Sequence, residues 1–289
     1  MKRVAFLGGA GAVLIARTVA ADSTNVQIAA IARGLSGRIG VYARTLAAGA
    51  PLAAYHASEH FPTASVIKLL VMTTAYFEQE RHPGTLSQVI VFHDRDLIGG
   101  SDFMDQANDG QRFTVAQLLV PMITVSDNTA ANLLIKHFGI RTVNAVGARA
   151  GMTRTRLARA FLDYTAILHH NDNVSTPADM GRLLYLIEEG AHEGIPTVVS
   201  ADHCRAMLKI MLGQTDRDAI PAALPPHTRV ANKTGSIHGT ENDVAVVSPF
   251  GEDPLILAIM TKDVDDDAAA YKAIHAVTRT IYASASPPR

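Results

Sequence analysis

Apolar positions recur along this chain at two spacings, one helical and one alternating. The segment STNVQIAAIARGL carries them at helical intervals behind a Ser/Thr cap, and GRIGVYARTL then alternates as a strand. PLAAYHA, after a Gly-Ala-Pro turn, predicts the hairpin partner of that strand. FPTASVIKLLVMTTAY, residues 61–76, reads as an apolar helix, and a loop-rich stretch, HDRDLIGGSDFMDQANDGQ, follows it. Residues 114–150 form a long helical block punctuated by glycines, whereas 151–176 show no clear period. Helices resume at STPADMGRLLYLIEEG, where Thr176 caps and Pro177 takes the first turn, and again at ADHCRAMLKIML. Three strands at hairpin spacing, TRVANKTGS, NDVAVVSPF and PLILAIMTK, precede a closing amphipathic helix, DDDAAAYKAIHAVTRTIY.

Strands therefore come from both ends of the chain and helices from its middle. The economical arrangement is an α+β fold: one five-stranded antiparallel sheet flanked by the two terminal helices, with an all-helical lobe over about 65–213. A single catalytic domain over 22–289 is expected. Residues 1–21 carry the pattern of an export signal, with Lys2 and Arg3, a short apolar core and small residues before Asp22. Twelve apolar residues are too few to span a bilayer, so the expectation is an exported, periplasmic or secreted monomer without a membrane span.

With 289 residues, 48% hydrophobic and 18% charged, the chain can bury an ordinary core. Its net charge of -1 and lack of a basic stripe argue against a nucleic-acid partner. Cys204 is the lone cysteine, which rules out an internal disulfide and a thiolate cluster, and the adjacent His169 and His170 lack the i, i+4 spacing that zinc hydrolases use on a helix. Neither a metal nor a cofactor is expected.

Three polar interruptions of apolar segments carry the candidate chemistry. Ser65 and Lys68 lie one helical turn apart, so their side chains can meet; a lysine among apolar neighbours loses its charge readily and can then take a proton from a hydroxyl. A capping serine with a snorkelling lysine would give the same string. Ser126, Asp127 and Asn128 separate two apolar runs and would equally make a helix cap. Lys233, Thr234 and Gly235 close a strand before a short loop.

Taken in order, Ser-x-x-Lys, Ser-Asp-Asn and Lys-Thr-Gly form the signature set of penicillin-interacting serine enzymes. The sequence resembles class A serine β-lactamases, and more closely class A-like serine hydrolases; LIGGS, VSTPADMGRLL and KTGSIHGTENDVAVVSP extend the likeness over nearly all of the mature chain. The resemblance implies a site between two lobes. It implies that Ser65 is acylated, that Lys68 is its base or a member of the base network, and that Ser126 passes a proton to the leaving nitrogen near Lys233. Asn128 would bind a substrate amide and Asp127 would hold its loop. Thr234 and Ser236 would contact a substrate carboxylate beside Gly235, and the N–H groups of Ser65 and Ser236 would form an oxyanion hole.

Two departures from the family pattern stand out. The glutamate that activates the deacylating water has no counterpart: counting from Leu157, its place falls on Phe161, and no Glu occurs between Glu80 and Glu188. Asp163 is the spare carboxylate of the loop, a candidate base or a backbone-bonded loop residue, while Asp172 is expected to pair with Arg159. Otherwise Lys68 serves both steps or the acyl-enzyme persists. The family's carboxylate-binding arginine is also missing near Lys233, where Thr240 and Glu241 stand instead and Arg229 is the nearest arginine in sequence. The expected activity is β-lactam hydrolysis through an acyl-enzyme; a D-alanyl peptidase or esterase, and a β-lactam-binding sensor, are the alternatives.

Overall fold

The computed structural model describes residues 22–285, so the export-signal reading of residues 1–21 lies outside the described residues. Helix α1 covers 22–32 and therefore starts ahead of the expected Ser/Thr cap. Strands β1 (Arg38–Thr45) and β2 (Ala53–Tyr55) form the first hairpin, and β3 (Phe61–Pro62) leads into a 3₁₀ turn, Ala64–Ile67. Then come α2 (Lys68–Arg81), β4 (Val89–Val91), β5 (Arg112–Thr114), α3 (Val115–Thr124), α4 (Asn128–Phe138) and α5 (Ile140–Arg149). A long loop holds the five-residue α6 (Tyr164–Leu168) and β6 (Val174–Ser175). The chain closes with α7 (Pro177–Glu193), α8 (Ala201–Met211), β7 (Val230–Ile237), β8 (Thr240–Val247), β9 (Leu255–Lys262) and α9 (Asp267–Ala285).

The sheet runs β2-β1-β9-β8-β7 and every neighbouring pair is antiparallel, which is the predicted five-stranded sheet with β7 on a free edge. Its two faces bury different cores. Val244, Val246, Ile256, Ala258 and Met260 pack with the helical lobe, while Ala245, Val247, Leu255, Leu257 and Ile259 pack with α1 and α9. Because both faces are covered, β8 and β9 read as unbroken apolar runs instead of alternating ones.

The cap at Thr176 sets a helix start where the sequence placed it. Thr176 accepts a hydrogen bond from the Asp179 N–H with Pro177 in the first turn, and Thr114 and Gln117 close a capping box on α3. The segment 61–76 differs from the expected uninterrupted helix. Phe61 and Pro62 pair with β6, and Thr63 donates its N–H and its hydroxyl to the Asn173 carbonyl, so helical winding begins as a 3₁₀ turn and becomes α only at Lys68. Among the described residues no helix is long and apolar enough to cross a membrane.

Candidate active site

Helix α2 runs through the middle of the helical lobe and buries every residue from Lys68 to Tyr76. Thr73 and Thr74 enter that apolar setting by donating their hydroxyls to the carbonyls of Leu69 and Leu70. Lys68 has no such local outlet and is fully buried at the first position of the helix. Its Nζ lies 2.6 Å from the Ser126 carbonyl, 2.7 Å from Asn128 Oδ1 and 3.2 Å from Ser126 Oγ. Burial holds its pKa well below the usual lysine range, the charge of Lys233 adds to this, and Asp127 opposes it. A neutral amine has two N–H groups and one lone pair. The two pure acceptors, the Ser126 carbonyl and Asn128 Oδ1, take the N–H groups, which leaves the lone pair for a hydroxyl proton.

Ser126 is held in the left-handed region, with φ of 58°, by bonds on either side of it. The Asp127 N–H donates to the Pro121 carbonyl and the Asn128 N–H to the Gly100 carbonyl. Asp127 itself is buried and caps α4 through Ala130, while its second oxygen accepts the N–H groups of Phe103 and Met104. The helix-cap reading of Ser-Asp-Asn and its role as a loop holder are thus both met by Asp127. The unusual backbone turn at Ser126 aims its carbonyl and its hydroxyl at the same lysine.

From the other side Lys233 on β7 reaches Ser126 Oγ at 3.1 Å and the Thr234 carbonyl at 2.8 Å. Burial lowers its pKa to about 8, against the opposing pull of Asp243 and Asp216. One hydroxyl therefore bridges two buried lysine nitrogens, and their mutual repulsion favours charge on only one of them. Gly235 allows β7 to come this close: a Cβ there would stand 2.9 Å from the Ser65 nitrogen, 2.8 Å from the Thr63 carbonyl oxygen and 3.0 Å from the Val66 nitrogen. Ser65 lies in the 3₁₀ turn directly beneath this contact, three residues before Lys68.

The loop opposite is tied down by side-chain amides that copy backbone pairing. Asn132 exchanges two bonds with Phe161, Asn144 two with Leu157, and Asn173 accepts from Ala158 and Arg159 while donating back to the Arg159 carbonyl. Arg159 grips Asp172 at 2.7 and 3.1 Å, the pairing expected across the loop's neck. The buried ring of Phe161 has Lys68 Nζ 4.4 Å from its centroid. Asp163 turns away: it is exposed and caps α6, Oδ1 accepting the Ala166 N–H at 3.0 Å. Of the two readings of Asp163, the backbone-bonded one is what the helix start displays, through its Oδ1.

A profile of the β-lactamase enzyme family matches residues 23–285. The chain belongs to that family. It is 32% identical over 242 residues to β-lactamase CTX-M-25 of Escherichia coli, covering 82% of this chain and 80% of that one. It is 30% identical over 245 residues to the carbapenem-hydrolyzing β-lactamase KPC of Klebsiella oxytoca, with 83% and 80% covered. Among solved structures, the β-lactamase from Desulfarculus baarsii superposes with a TM-score of 0.83 at 28% identity, over 93% of this chain and 99% of that one.

Within the β-lactamase frame, the structure brings Lys68, Ser126, Asn128 and Lys233 into one hydrogen-bonded group, with Ser65 and Gly235 in contact beside it. Thr234 and Ser236 flank Gly235 on the opposite side of the free edge strand. Glu241 points toward them: Ser236 Oγ donates to Glu241 Oε1 at 2.6 Å. Burial raises that carboxyl above its usual range while the Ser236 hydroxyl opposes the shift. Arg229 lies at the far end of the β7–β8 pair, its guanidinium 5.9 Å from the Phe250 ring centroid. Sequence reasoning passed over Asn132, Asn144 and Asn173. The detectable signal was Asn132, a polar residue four positions after Asn128 in an apolar helix and hence on the same face.

Proposed function

We propose that this β-lactamase family member hydrolyses β-lactams through an acyl-enzyme on Ser65, with Lys68 as proton acceptor in both half-reactions. Ser65 Oγ adds to the lactam carbonyl carbon as its proton passes to Lys68. The N–H groups of Ser65 and Ser236 receive the developing oxyanion, usually the largest electrostatic contribution to acyl transfer. The carbon–nitrogen bond then breaks, and the ring nitrogen takes a proton from Ser126, which regains one from Lys68. Lys233, still charged, stabilises the Ser126 oxygen between these transfers. Asn128 holds the substrate amide and Thr234 its far side. Water then attacks the ester as its proton passes to Lys68, and the ester bond breaks as Lys68 returns that proton to Ser65 Oγ.

The observation that carries this reading is the position of Ser126 Oγ, 3.2 Å from Lys68 Nζ and 3.1 Å from Lys233 Nζ. That is the geometry a proton relay needs. The test is turnover of a chromogenic cephalosporin by the purified protein, with peptide mapping of the penicillin adduct. Product release and an adduct on Ser65, both lost in Ser65→Ala, are expected; unchanged turnover in Ser65→Ala would overturn the assignment. The enzyme is further proposed to be exported, on the pattern of residues 1–21, which a shortened mature N-terminus in secreted material would reveal.

A further inference from the structure

In the mechanism proposed above the substrate meets the end of β7 at Thr234 and Ser236, and the second of these is bonded to an acidic group. Ser236 is exposed at the end of β7, and Glu241 sits directly across the hairpin from it, buried behind the strand. The hydroxyl has one proton, and the 2.6 Å bond commits it to Glu241 Oε1. Ser236 therefore shows only lone pairs to the cleft. Besides Ser236, the groups that bear on the Glu241 carboxyl are the Tyr271 hydroxyl on α9 and the carboxylates of Asp267 and Asp216, none of them cationic. Arg229 is at the other end of the strand pair.

We propose that Glu241, acting through Ser236 as a positioning residue, sets the substrate class of this cleft. The leaving-group side of the scissile bond is to be neutral or cationic, or to present a hydrogen-bond donor, instead of a free carboxylate. The inference rests on the β-lactam acylation proposed above and concerns which β-lactams are used. A carboxylate placed there meets two lone pairs on Ser236 and the Glu241 charge behind them, and finds a donor only at Thr234 and Lys233. A carboxyl ester or an amine-bearing group loses that repulsion, and the amine gains an acceptor.

The test compares benzylpenicillin with its methyl ester by the rate of adduct formation on Ser65 in the full chain, at about pH 8 where a carboxylate is ionised. Wild-type protein is expected to acylate faster with the ester by about tenfold or more. Glu241→Gln is expected to shift the acid-to-ester ratio of kcat/KM about tenfold toward the acid, mostly through KM, with the ester rate little changed. A wild-type preference for the free acid would overturn the proposal without any variant having to fold. So would an unchanged ratio in Glu241→Gln. Absence of an adduct from either compound would overturn the acylation reading and this inference together, whereas adducts from both with the acid preferred would overturn this inference alone.

Discussion

Where the helical lobe meets β7, Ser126 Oγ stands within hydrogen-bond reach of two buried lysines, and Lys68 also reaches the Ser126 carbonyl and Asn128 Oδ1. On the loop side, the group facing Lys68 is the ring of Phe161, and the carboxylate two residues on is bonded to a helix N-terminus at the surface. Both walls are well ordered by hydrogen bonds, yet only the first presents proton-transferring groups to the cleft. The Asn132, Asn144 and Asn173 amides fix the loop as firmly as a catalytic loop requires, but what they hold in place is apolar. The difference separates the two halves of the reaction. In the proposed mechanism, forming the ester uses the groups around Ser126, whereas breaking it by water falls to Lys68 again, because the loop sets an aromatic ring beside that lysine in place of a second base.

The largest effect should come from the complete wall. Lys68→Met keeps the volume and removes the base, and it is expected to slow acylation by about 10³-fold as followed by stopped-flow adduct formation. Acylation within tenfold of wild type would show that the lysine does not take the proton. A smaller change, of opposite sign, should follow from repairing the loop. Phe161→Glu places a carboxylate against Lys68, held by the Asn132 amide, and should shorten the adduct lifetime by about tenfold or more in intact-mass chase experiments. An unchanged lifetime would mean that something other than a missing base limits deacylation.

The pH profile sharpens the same contrast. The proposed mechanism has Lys68 neutral and Lys233 charged during acylation, so kcat/KM should rise with pH through the depressed Lys68 value and fall above about 8 as Lys233 loses its proton. The limiting fall is about tenfold per pH unit. A profile still climbing at about pH 9.5 would remove the Lys233 charge from the mechanism. The smallest effect belongs to Asp163→Asn. Asparagine caps a helix as well as aspartate, so stability and adduct lifetime should both stay within about twofold, measured by thermal melting and mass chase.

Much of this was legible in the sequence, for identifiable reasons. The sheet was readable because NDVAVV and LILAIM bury both faces and leave little doubt of their state. The joint order of the three motifs, read as a family resemblance, singled out Ser65, Lys68, Ser126 and Lys233, whereas each string alone reads equally well as a helix cap or a strand end. Other features depended on contacts distant in the chain. The break of the 61–76 helix into a strand and a 3₁₀ turn follows from bonds to Asn173, 110 residues away from Thr63. The roles of Asn132 and Asn144 appear only when the loop folds back on α4 and α5. Asp163 was ambiguous because a carboxylate two residues from the expected position serves equally as a cap, and local hydrogen bonding decided it. The direction of Glu241 needed the hairpin register, which pairs it with Ser236.

In the proposed mechanism the cleft acylates readily and deacylates slowly. Rapid mixing of the purified protein with a chromogenic cephalosporin tests it most directly. The expected trace is a burst of product equal to the enzyme concentration, followed by a steady rate at least about tenfold slower, with the ester on Ser65 as the main species during the slow phase. A linear trace without a burst, and no Ser65 ester at steady state, would contradict it.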